Sequence, residues 1–175
     1  MAWKMSHTSL GNGIALVAAN AGKGAMAGVV ATAAMTLSSS IEMKLRGREA
    51  SSIPADAAGK VLGVQPRDAD GAARFREVVH WSYGTAWGGA GGVLRTVMPE
   101  PAATAAHFAT IWGTEVTMLP ALELAPPLPQ WGAREVAIDV FHHLVYAAFF
   151  AGAWYLINQS ETKSGLSGMV RGWLR

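Results

Sequence analysis

Two segments of this chain carry an acidic residue three places before a histidine, Glu77-Val-Val-His80 and Asp139-Val-Phe-His142. At helical periodicity a separation of three puts both side chains on roughly one face. Carboxylate oxygen and neutral imidazole nitrogen together suit iron, manganese or zinc. Two other apolar stretches carry single carboxylates, Glu42 and Glu115. In chain order the pattern is carboxylate, carboxylate-x-x-His, carboxylate, carboxylate-x-x-His. That is the ligand order of a four-helix di-metal carboxylate site. Glu42, Glu77, His80, Glu115, Asp139 and His142 would suffice for two adjacent ions. His143 is an alternative to His142, or its hydrogen-bonding neighbour, because successive helical residues point about 100° apart.

The same residues support other chemistry. Glu42 and Glu77 stand beside Lys44, Arg74 and Arg76 and fit interfacial ion pairs. His80 facing His142 or His143 would give the paired axial ligands of a b-type haem. Buried acids and imidazoles would also serve as a proton relay, since histidine titrates near neutral pH. No nucleophile–base–acid arrangement is evident, and the serines at 38–40 have no partner nearby in sequence. The glycines have helical spacing and form no phosphate-binding loop.

The elements that must position these groups look membranous. Charged residues make up 15% of the 175, against about 25% in soluble chains. Uncharged runs enclose residues 24–41, 78–94 and 140–160, and a spanning helix needs about 20 apolar residues. Ionisable groups within such spans are functional candidates by default. The pattern predicts an all-α, four-helix transmembrane bundle over 24–43, 76–98, 102–124 and 134–157, as one membrane domain covering 1–175. A polar first loop covers 45–75, with one or two helical turns at Ser52 to Gly59. Residues 10–19 are too short to span and predict an interfacial or loosely helical lead-in; Met1 to His7 lacks the order of a signal peptide. Pro99 and Pro101 end the second helix, and Pro120 predicts a kink in the third. Within this frame Glu115 would lie about 10 Å deeper than Glu42, and His107 near the opposite membrane face. The segment 160–175 is amphipathic, with Leu166, Met169, Val170, Trp173 and Leu174 on one stripe, and predicts a surface-lying helix.

Small residues recur every four positions, Gly24, Gly28, Thr32, Thr36 and Ser40 in the first helix and Gly84, Gly88 and Gly92 in the second. Such stripes let helices approach closely. Two of them exceed the needs of a four-helix monomer, which predicts an accessory or structural subunit packing against other membrane subunits or itself. His80-x-x-Tyr83-x-x-x-Trp87 and His143-x-x-Tyr146-x-x-x-Phe150 match, as halves of a parallel repeat would.

The formal charge of +2 and pI of about 9.2 fit anionic lipid headgroups, not nucleic acid. The first and third loops hold 8 positive residues and the other side 6. The charges at the ends of the first loop favour its cytoplasmic placement. With no cysteine, disulfides and thiolate metal sites are excluded.

Met118-Leu-Pro120-Ala-Leu-Glu-Leu124-Ala-Pro126-Pro127, followed by Phe141-His-His143-Leu-Val-Tyr146, resembles the YagU-like inner-membrane proteins of bacteria. The small-residue stretch leading to Glu42 fits as well, so the likeness covers residues 22–157. It implies a small polytopic inner-membrane protein, and acid tolerance has been associated with that family. Lys44-Leu-Arg-Gly-Arg48 stands where the family pattern has a proline-rich segment.

Overall fold

The computed structural model describes the backbone of residues 2–173 and the side chains of residues 10–160. It is all-helical: α1 (Ala2–Arg46), α2 (Ile53–Leu62), α3 (Ala69–Leu94), α4 (Ala102–Ala121) and α5 (Ala133–Trp173), with a 3-10 turn at Leu128–Gln130. No strand occurs among the described residues.

Several boundaries differ from the expected ones, each for a local reason. The lead-in at 10–19 is part of α1. No proline precedes Pro54, and a single glycine costs a helix only about 1 kcal/mol. α3 starts at Ala69, because the Asp68 carboxylate accepts from the Gly71 amide at 2.7 Å and caps it. The middle of the remaining loop is α2, which has proline in its first turn and stops at Gly63, φ +67°. α4 ends at Ala121, so Pro120 lies in its last turn and the helix stops soon after it. α5 opens after Gly132, φ +80°, and runs on unbroken past residue 157. The amphipathic stripe predicted for its end falls on side chains outside the described residues.

α1 lies antiparallel to both α3 and α5. Thr36 meets His80, while Ser38 meets His142 and Arg46 meets Glu135. α4 closes the other side, with His107 reaching the Trp87 carbonyl on α3 and Glu115 reaching His143 on α5. The two glycine stripes face each other. A Cβ added at Gly28 would sit 2.8 Å from the Gly88 Cα, and one at Gly88 would sit 2.5 Å from the Gly28 Cα. A Cβ at Gly84 would collide with the Thr32 hydroxyl. The stripes are therefore filled by one another within the chain.

The interior combines small, aliphatic and aromatic groups: Ala27, Ala31, Thr32, Val79, Ile111, Leu119, Tyr146 and Phe150 are buried. Large aliphatic and aromatic side chains also point outward, among them Met26, Val29, Leu37 and Ile41 of α1 and Phe141, Leu144, Phe149 and Leu156 of α5. His107 is not an interface residue. Only 1% of it is exposed, and its ring fills the hole over Gly91, where a Cβ would come within 2.5 Å. Two helical segments, Leu10–Arg46 and Ala133–Ser160, are long and apolar enough to cross a membrane.

Candidate metal centre

Glu115 of α4 and Asp139 and His143 of α5 converge. Each offers a ligand atom, and these atoms all lie within 4.8 Å of one another. The Glu115 Oε2 is 2.9 Å from the His143 Nε2. The other ring nitrogen, Nδ1, donates to the Asp139 backbone carbonyl at 3.0 Å, with the Asp139 Oδ1 3.7 Å away. The Trp112 indole N–H, one turn before Glu115, donates to the Asp139 Oδ2 at 2.8 Å. His143 is buried, whereas both carboxylates are partly accessible.

Helix geometry explains the convergence. Asp139 and His143 are four apart and share a face. Glu115 lies six residues before the end of α4 and Asp139 six after the start of α5. In antiparallel neighbours that puts both about 9 Å inside the same end.

The hydrogen bonds dictate a cation. A carbonyl only accepts, so Nδ1 holds a proton and Nε2 of the neutral ring is bare. A bare nitrogen facing a carboxylate oxygen at 2.9 Å brings two acceptors together. Either a proton or a metal ion must join them. The 2.9 Å separation is that of a charge-assisted hydrogen bond, and two ligand atoms about 2.1 Å from a tetrahedral ion would stand about 3.4 Å apart, a small adjustment for these side chains. An Nδ1–H fixed on a backbone carbonyl is also the usual way a ligating imidazole is aimed.

The other expected ligands go elsewhere. Glu42 pairs with Arg46 at 2.9 Å and Arg48 at 2.5 Å, and Arg46 also reaches Glu135 at 2.6 Å. Glu42 lies just past the uncharged run. Glu77 is exposed. The Thr36 hydroxyl gives its proton to the Thr32 carbonyl at 2.7 Å and so accepts from the His80 Nε2, also at 2.7 Å. Ser38 Oγ bonds the His142 Nδ1 at 2.7 Å, leaving the buried Nε2 of His142 without a hydrogen-bond partner among the described residues.

The carboxylate-histidine pair in use is thus Asp139 with His143, four apart, and not Asp139 with His142, three apart. α1 lies against the His142 side of α5 and α4 against the His143 side. Opposed histidines for a haem do not form, since His80 and His142 both turn to hydroxyls of α1 and the α3 glycine stripe is filled by α1. The two repeat-like motifs also sit in different surroundings: Tyr146 is buried and donates to the Gly84 carbonyl at 2.6 Å, while Tyr83 is exposed.

Three contributors were not singled out from sequence. Trp112 had a readable signal, its position three before Glu115 on one face. Thr36 and Ser38 had none, because their imidazole partners lie 44 and 104 residues away. No family model, curated protein or solved structure matches this chain.

Proposed function

We propose that this is a multi-pass protein of the bacterial inner membrane, a four-helix transmembrane bundle of α1, α3, α4 and α5, whose Glu115–Asp139–His143 cluster binds one divalent metal ion. The membrane reading is supported by the many large apolar side chains that α1 and α5 turn outward, and by the close glycine-to-glycine packing of α1 on α3. α4, at 20 residues, is about 30 Å long, which matches a hydrocarbon core.

The observation that carries the metal reading is the doubly engaged His143 ring, proton-donating on one side and facing Glu115 on the other. One nitrogen and two carboxylates suit iron, manganese or zinc and leave coordination positions open. The chemistry is then metal handling or metal-dependent oxidoreduction. It requires a single ion, because the second half of the expected six-ligand set is committed to α1 hydroxyls and arginines. The accessory-subunit reading loses its motive, since the stripes that suggested it are filled from within the chain.

Membrane fractionation followed by metal analysis of detergent-purified protein tests the proposal. A carbonate-resistant membrane protein with close to one transition metal per chain is expected. A protein soluble without detergent, or one that is metal-free after purification in metal-supplemented buffer, would refute it.

A further inference from the structure

At the end where α1 leaves the helix pack, α2 and the start of α3 enclose a cleft of 540 Å³. Ala55, Phe75 and Leu124 give it an apolar lining, and Lys60 and Arg76 supply two cations. The Lys60 ammonium is fixed by donating to the Leu122 carbonyl at 2.6 Å and keeps two further protons to offer. The Arg76 guanidinium makes no hydrogen bond or ion pair with the described residues. The one carboxylate in the lining, Asp56, is held by the Ser52 hydroxyl at 2.8 Å. The cleft is therefore net cationic, with an unspent guanidinium, and its apolar lining is out of keeping with a purely ionic role. Directly beside it Val61, Leu62 and Val64 at the end of α2 are exposed, at 64%, 67% and 41%.

From this juxtaposition we infer that the cleft holds the phosphate headgroup of an anionic phospholipid, with Val61, Leu62 and Val64 set into the acyl boundary beside it. The inference rests on the membrane reading above. Lys60 and Arg76 meet the phosphate by charge-assisted hydrogen bonds. The apolar lining and the exposed α2 tip favour a lipid over free phosphate, because a free anion gains nothing from hydrocarbon neighbours. The tip would lie in the interfacial layer as an amphipathic helix does.

The test uses the full-length chain in mild detergent. It is titrated with phosphatidylglycerol or with phosphatidylcholine, and retained lipid is counted by native mass spectrometry. Wild type should retain phosphatidylglycerol over phosphatidylcholine by about fivefold or more. The Lys60→Gln/Arg76→Gln double variant should lose that preference, and Arg134→Gln, a loop-side change outside the cleft, should keep it. Millimolar inorganic phosphate should not displace the lipid. Equal retention of the two lipids, an undiminished preference in the double variant, or displacement by inorganic phosphate would each overturn the inference and leave the membrane reading standing. A chain that stays monodisperse without detergent and retains neither lipid would sink both.

Discussion

The His143 Nε2 stands 2.9 Å from the Glu115 Oε2 while the opposite ring nitrogen donates to the Asp139 carbonyl at 3.0 Å. This relationship links two helices through one shared cation and separates two kinds of substitution. Glu115→Gln places an amide N–H where the cation was, so the contact survives as an ordinary hydrogen bond worth about 1 kcal/mol. Its thermal unfolding in detergent should lie close to wild type, while its metal content should fall. A collapse in stability with metal retained would show the contact to be structural.

Trp112 acts on the centre only through Asp139, to which its indole donates at 2.8 Å. Trp112→Phe keeps an aromatic ring and removes the donor. Loss of an outer hydrogen bond of this kind weakens metal binding about 10–100-fold. Competition against a chelator of known affinity would measure it. Unaltered affinity would mean that Asp139 is not a ligand.

The α1–α3 contact makes a stability prediction independent of any metal. Backbone lies within 3 Å of a Cβ built on Gly28 or Gly88, whereas nothing lies within 4 Å at Gly113 or Gly152. Gly28→Ala and Gly88→Ala should each destabilise by about 1–3 kcal/mol through overpacking. Gly113→Ala and Gly152→Ala should be neutral or stabilising by up to about 1 kcal/mol. Thermal melts of the four variants distinguish these outcomes.

Three of the four long helices were legible from an uncharged run, and the fourth, interrupted by Glu115, from the prolines that bracket it. The Asp68 cap was equally local but lay inside a segment whose charge marked it as loop. Half of the site could be read as well: Glu115, Asp139 and a histidine were singled out by type and depth. Which histidine serves Asp139 was not legible. That depends on where α1 docks around α5, and α1 is held by its glycine stripe against α3. Pairing of this kind joins residues far apart in sequence, and the single-helix periodicity at 139–143 allows both His142 and His143. The hydroxyls that take up His80 and the freed His142 were hidden for the same reason.

The most direct measurement is the metal stoichiometry of three purified proteins: wild type, Glu115→Gln/His143→Ala, and His80→Ala/His142→Ala. Each is stripped with chelator and reloaded with manganese, iron(II) or zinc. The account predicts one ion per chain in wild type, none in the first double variant, and one retained in the second. Equal metal in wild type and Glu115→Gln/His143→Ala, or loss of metal from His80→Ala/His142→Ala alone, would contradict it.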